Sequence, residues 1–336
     1  MKPSQVANSL RTLIPIRMPA MILGSPGCGK SAVVRQVADS LAIQCLDVRA
    51  VLYDPVDFRG LPSVKDGFTD WSTPGFLPRD GEGLLFLDEL NAAPEAVQAA
   101  LYRLILDREL DGYRLPDGWS IVAAGNKTTD GAITRKLSTA LKSRLVTFQM
   151  EADLDDWRRH AVRAGIAPEV IAFLSFRSAL FDAYAKPAPG EEPLIDPRAS
   201  DAFPVPRTWE MVSKILQARP APDIELGLYT ATVGQAAAGE FMGFLRVYRH
   251  LPSIDGILLS PVQSPVPTDL ATLFALANAL ARASTDANFP NVTAYANRLP
   301  PEISVALVKQ AVDRRPELQQ TRAFTEWAAL HSDVLV

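Results

Sequence analysis

Cysteine and histidine are scarce in this chain. Its 336 residues hold two cysteines, Cys28 and Cys45, and three widely separated histidines, His160, His250 and His331. Neither cysteine has a partner at metal-binding spacing, which argues against a zinc-type site and against a disulfide framework. A reduced, cytoplasmic protein is the expectation. No apolar run is long enough to span a bilayer, and the N-terminus has no signal-peptide pattern, so no membrane partner is expected. A large excess of charge of one sign is also lacking. The net charge of −4 argues against broad electrostatic binding to nucleic acid, although a local basic surface stays open. Internal repeats and low-complexity tracts are absent. What remains is 48% apolar and 21% charged, the balance of a globular protein, at a length that suits roughly two or three domains.

One stretch stands out. Gly24-Ser25-Pro26-Gly27-Cys28-Gly29-Lys30-Ser31 fits the phosphate-loop pattern Gly-x-x-x-x-Gly-Lys-Ser/Thr at every fixed position. The apolar run Met21-Ile22-Leu23 precedes it as a short buried strand. Ala32, Val33, Val34, Val37, Ala38 and Leu41 follow at helical spacing. Strand, glycine loop and helix are the context such a loop requires. Its backbone N–H groups can curl around phosphate oxygens, and the helix behind adds its N-terminal donors and dipole. Lys30 is expected on the β- and γ-phosphates, and the Ser31 hydroxyl on Mg²⁺. Residues Gly24 to Ala32 are thus the expected ATP contacts.

Leu84-Leu85-Phe86-Leu87-Asp88-Glu89 reads as a strand buried on both faces, ending in two carboxylates. That end is where open α/β sheets bind ligands. Asp88 is expected to hold Mg²⁺ and Glu89 to polarise the attacking water. The strand Ser120–Ala124 ends in Gly125-Asn126, where an amide could bind the γ-phosphate or water; a turn after glycine explains it locally as well. Arg144 precedes a fifth strand, Leu145–Phe148. A surface arginine beside a strand is the alternative to a functional role there.

Other elements follow the hydrophobic spacing. Helices are expected at 4–14, 94–110 and 138–143, and a hairpin at 111–119. Residues 54–83 read as an irregular, aromatic-rich loop, either covering the core or working on a partner. After Met150 the pattern turns helical, at 153–164, 168–184, 206–218, 225–237 and 238–250. The stretch 185–206 reads as a loop and 252–267 as a linker. Helices at 268–284, 301–313 and 320–332 complete the chain.

This order of parts resembles the AAA+ ATPases, and within them the MoxR branch. Gly24–Ser31 resembles Walker A and Leu84–Glu89 resembles Walker B. Asn126 matches the first sensor and Arg144 the arginine finger, with Arg135 and Lys142 as rivals. Arg207, in Val205-Pro206-Arg207-Thr208-Trp209, matches the second sensor. The MoxR likeness rests on Asp88-Glu89-Leu90-Asn91, on Gln98 through Arg108, on the hairpin, and on the insertion at 56–83. The resemblance spans about 5–250 and departs from the usual Asp-Arg-Phe with Ser143-Arg144-Leu145. It implies a parallel five-stranded α/β core over 1–150, an all-helical lid over 151–251 and a helical C-terminal extension over 252–336. It also implies Mg²⁺-dependent ATP hydrolysis in a hexameric ring acting on a partner protein, commonly one with a von Willebrand factor A domain. A DNA-dependent AAA+ motor is the alternative, with Lys65, Arg79 and Arg114 as candidate DNA contacts. Trp71, Phe76, Tyr113 and Trp119 are expected as exposed working residues.

Overall fold

Alternate residues of the buried strands point into two different cores. This follows from the period of two along a strand in a sheet covered on both faces. The computed structural model describes residues 1–110, 112–130, 134, 135, 137, 139–185 and 194–331. Parts of the expected hairpin turn (Asp111), of the helix at 138–143 (Ser138), of the loop at 185–206 (186–193) and the last residue of the helix at 320–332 lie outside them. Two units make up the chain, Met1–Asp153 and Leu154–Val336.

In the first unit, helix α1 (Pro3–Leu13) leads to strand β1 (Ala20–Gly24), helix α2 (Lys30–Ser40) and strand β2 (Gln44–Arg49). Helix α3 (Pro55–Arg59) and the antiparallel pair β3 (Leu61–Lys65) and β4 (Phe68–Ser72) come next, then β5 (Glu82–Asp88) and α4 (Glu95–Asp107). A small hairpin of β6 (Glu109–Leu110) and β7 (Tyr113–Arg114) precedes β8 (Gly118–Gly125), short helix α5 (Thr139–Lys142) and β9 (Val146–Met150). The main sheet has five strands in the order β2-β5-β8-β1-β9, all pairs parallel, as expected. Ile22, Leu84, Phe86 and Val122 share one core with Val6, Leu10 and Val34 of α1 and α2. Met21, Leu85, Leu87 and Ile121 share the other with Leu101 and Leu104 of α4.

The segment 54–83 is more ordered than expected. Asp54 and Pro55 open α3, with the Asp57 carboxylate accepting from the Asp54 N–H at 2.8 Å, a helix start that proline suits. Asp66 and Gly67, both at positive φ, turn β3 into β4, the Asp-Gly hairpin signal. Glycine and proline density hid it. Phe58 and Leu77 are buried, and Phe58 packs tilted against Tyr53 and T-shaped against Phe76. Leu61, Val64 and Phe68 are exposed, at 70%, 83% and 78%. Phe58 and Phe76 therefore cover the domain's own core, while Phe68 faces solvent. Helix α4 also stops earlier than expected, because Arg108 adopts φ 60° and ends it.

The second unit is helical: α6 (Leu154–Arg163), α7 (Pro168–Phe176), α8 (Pro206–Gln217), α9 (Pro222–Val233), α10 (Gln235–Arg249), α11 (Ile254–Leu259), α12 (Leu270–Ala283), α13 (Phe289–Ala296), α14 (Pro301–Arg314) and α15 (Arg322–Leu330). Phe173, Trp209 and Phe241 pack ring on ring at its centre, and the buried Trp209 indole donates to the Leu180 carbonyl at 2.8 Å. Helix α12 packs on both α14 and α7. The stretch expected as a bare linker carries α11, and α13 lies in a region where no separate helix was expected.

Candidate nucleotide site

The loop between β1 and α2 is shaped by its glycines. Gly29 caps α2 at φ 98°, a left-handed conformation that a side chain would strain. Ser25, Gly27 and Cys28 are buried in the turn, and Ser31 and Ala32 open the helix. The Lys30 ammonium, buried, donates to the carbonyls of Gly24 at 2.8 Å and Ser25 at 3.0 Å, and to Asn126 Oδ1 at 3.0 Å. The first-sensor candidate thus touches the loop lysine directly.

Parallel pairing of β1 with β8, and of β8 with β5, brings three strand ends to one edge. There the Ser31 hydroxyl donates to Asp88 Oδ2 at 2.7 Å. Asp88 Oδ1 accepts the Glu89 N–H at 2.9 Å. A hydroxyl and a carboxylate oxygen side by side form an oxygen donor pair of the kind Mg²⁺ takes alongside phosphates, so the residues present fit that ion. Glu89 sits half-buried at φ 56°. A non-glycine residue there costs of order 1 kcal/mol and marks a position held by its surroundings.

What holds it is Asn91, which the sequence reading noted without a role. Buried Asn91 donates from Nδ2 to the Asn126 carbonyl at 2.8 Å and accepts the Asn126 N–H at Oδ1 at 3.1 Å. The Leu90 N–H meets the Ala124 carbonyl at 2.9 Å. Together these lock the Asp88–Asn91 turn to the end of β8. Gly125 permits it, since a Cβ there would lie 2.2 Å from Asn91 Oδ1. The only sequence signal was an asparagine two positions past the carboxylate pair.

The remaining candidates scatter. Arg135 donates to the Ala93 carbonyl at 3.1 Å, and its N–H to the Asn91 carbonyl at 2.8 Å, so it is anchored beside its own site. Lys142 ends α5, exposed. Arg144 is exposed just before β9. Because Ala20 pairs with Val146 and Gly24 with Met150, Arg144 lies at the opposite end of the sheet from the loop. Arg207 is exposed at the second position of α8, in the second unit. Two expected working aromatics are buried instead. Tyr113 donates to the Pro78 carbonyl at 2.6 Å and Trp119 to that of Asp80 at 2.9 Å; burial raises the Tyr113 hydroxyl to about 12. Tyr113 fastens the small hairpin, and Trp119 the start of β8, to the segment before β5. Phe76 is half-buried, and Trp71 is 37% exposed.

Among the described residues no helix is long and apolar enough to cross a membrane. Residues 19–145 match the family model of the AAA domain, dynein-related subfamily. That match and the phosphate-loop sheet place the first unit among the P-loop NTPase domains of the AAA+ superfamily. No curated protein matches. Among solved structures, NtrX from Brucella abortus is 19% identical, covering 66% of this chain and 52% of NtrX at a TM-score of 0.38. NtrX in complex with ADP is 16% identical, over 98% of this chain and 67% of that one, at 0.42. RuvB from Thermotoga maritima, a Holliday junction branch migration motor, is 18% identical over 83% and 79%, at 0.35. The chain thus spans 52% of the length of NtrX in the first of these, and likenesses this distant do not bear on activity.

Proposed function

We propose that this protein is a Mg²⁺-dependent ATPase of the MoxR type, working as a ring of identical subunits, by family likeness six, that remodels or activates a partner protein. The observation that carries the reading is the meeting of Ser31, Asp88, Lys30 and Asn126 at one sheet edge. Lys30 and the loop N–H groups bind the phosphates of ATP. Asn126, held by Asn91, fixes the lysine and reaches toward the γ-phosphate. Glu89 orients the attacking water and takes its proton. Mg²⁺, when bound through Ser31 and Asp88, supplies charge neutralisation at the phosphates.

The location of Arg144 supports the ring. Strand β1 has five residues, about 16 Å of extended chain, and this separates Arg144 from its own loop. The phosphate it serves is that of a neighbour, a head-to-tail contact that closes into a ring. Residues 151–251 act as a lid whose Arg207 senses the nucleotide, and 252–336 extend it. The partner, by the same likeness, carries a von Willebrand factor A domain. The exposed apolar residues of β3 and β4 are candidates to meet it. The two free cysteines suit a cytoplasmic setting.

ATPase rate against protein concentration, for the wild type and Arg144→Ala, tests the reading. Specific activity should climb with concentration, and Arg144→Ala should abolish it, by about three to five orders of magnitude, while still binding ATP. Flat activity per subunit with a neutral Arg144→Ala would refute the ring. ATPase stimulated by DNA in a salt-dependent manner would favour the alternative of a DNA-dependent motor.

A further inference from the structure

At the end of the first unit opposite the phosphate loop lies a pocket of about 250 Å³. Three arginines line it: Arg17 from the turn before β1, Arg108 from the end of α4, and Arg144 from the turn before β9. Ile105, Leu106 and Ile121 supply apolar wall, and no carboxylate lines it. Arg108 is committed to the fold, donating to the carbonyls of Pro116 at 2.8 Å and Trp119 at 2.7 Å. Burial, foremost, with the charges of Arg17 and Arg114, lowers its affinity for its proton against the opposing charge of nearby Asp117. The side chains of Arg17 and Arg144 make no hydrogen bond or ion pair among the described residues.

The bases of these two side chains are nevertheless fixed. The Arg17 N–H donates to the Ile14 carbonyl at 3.0 Å and the Met18 N–H to that of Leu13 at 3.1 Å, with Arg17 at φ 58°. The Ile14 carbonyl is also held by the Ser120 hydroxyl at 2.6 Å. The Arg144 N–H donates to the Leu141 carbonyl at 3.1 Å, and the Val146 N–H to that of Pro19 at 3.0 Å, which ties the two turns together. Guanidinium groups gathered on a fixed frame around one pocket repel each other. An anion with several oxygens removes that cost, and forked N–H donors are matched to phosphoryl groups. The volume is that of about eight waters, room for phosphoryl groups but below the range for whole small-molecule ligands.

We propose that Arg17 joins Arg144 in receiving the terminal phosphoryl groups of a polyphosphate, with Arg108 as part of the pocket wall, and that these groups belong to ATP bound on the loop of a second copy of this chain. This rests on the ring reading above and adds Arg17, a residue with no motif, as a second arginine acting in trans. The source favoured is the neighbour's nucleotide because the pocket has no phosphate loop of its own to hold a free one.

The experiment compares Arg17→Ala, Arg17→Lys and Arg144→Ala with the wild type at a protein concentration where activity per subunit has levelled off. Arg17→Ala should lose turnover by about 10²-fold, the scale for one donor to a transition-state anion, while binding ATP on its own loop as tightly as the wild type and keeping its melting temperature. Arg17→Lys should retain part of the rate. Mixing Arg17→Ala with Lys30→Ala should restore turnover, since the intact loop of the first then faces the intact Arg17 of the second. Wild-type turnover in Arg17→Ala alongside a dead Arg144→Ala would overturn this proposal and leave the ring standing; neutrality of both would overturn the ring itself. Tripolyphosphate binding to dilute Lys30→Ala, removed by adding Arg17→Ala, would make a free polyanion the occupant and overturn the neighbour's nucleotide.

Discussion

Ser31 and Asp88, 57 residues apart in the chain, meet through a hydroxyl-to-carboxylate hydrogen bond of 2.7 Å. Asp88→Asn should weaken Mg²⁺-dependent binding of a nonhydrolysable ATP analogue by at least about tenfold, the scale seen when groups supporting a metal are removed. Binding measured with excess chelator should be the same in mutant and wild type. A mutant that lost affinity equally with and without Mg²⁺ would place Asp88 outside the metal site.

Glu89 separates chemistry from binding. Glu89→Gln should retain ATP affinity and lose about 10²- to 10⁴-fold in turnover, the range for a positioned general base. Its φ of 56° gives a second handle. Glu89→Gly should be as inactive as Glu89→Gln yet at least as stable, because glycine accepts that conformation without strain. A thermal melt showing Glu89→Gly less stable than Glu89→Gln would remove the strain argument.

Asn91 should behave as a positioning residue. Asn91→Ala leaves the half-buried Asn126 N–H and carbonyl without their partner, at about 1–2 kcal/mol of stability, and loosens the hold of Asn126 on Lys30. Asn91→Asp can still accept the N–H but cannot donate to the carbonyl, so it should fall between. Calorimetric unfolding and kcat, measured on both variants, should move in the same order, with ATP affinity changing less than kcat.

In the second unit, Glu225 accepts hydrogen bonds from Arg249 at 2.6 and 3.2 Å and from the Tyr229 hydroxyl at 3.0 Å. Arg249, foremost, holds its carboxyl below the usual value. A carboxylate depressed on folding stabilises fully above its unfolded pKa of about 4.3 and loses that contribution as pH falls through the folded value. At pH 7, Glu225→Gln should therefore cost about 1.5–3 kcal/mol, the range for hydrogen bonds to charged groups. Below pH 4 the melting curves of mutant and wild type should converge. A difference unchanged between pH 7 and pH 3 would show that the charge contributes nothing.

Much of the site was legible because its residues cluster in sequence. Gly24 to Ser31 form one contiguous loop whose backbone shape follows from its own glycines, and Asp88 and Glu89 follow an apolar run that can only be a buried strand. The hairpin of β3 and β4 was hidden although Asp66-Gly67 marks its turn, since neighbouring glycines and prolines read as disorder of pattern. Tyr113 and Trp119 looked like exposed aromatics because a two-residue strand and the entry to β8 carry no burial signal of their own; the segment before β5 supplies the carbonyls to which they donate.

The sequence by itself determined the phosphate loop, the two strand-end carboxylates, the five-stranded parallel core and the change to helices after Met150, because each depends on local spacing and on contiguous chemistry. Tertiary structure alone decided that Asn91 holds Asn126, that Arg135 is tethered at its own site while Arg144 lies at the far end of the sheet, and that Arg17 shares a pocket with it. Those relations join residues tens of positions apart, and only the parallel register of the strands sets which of their ends meet.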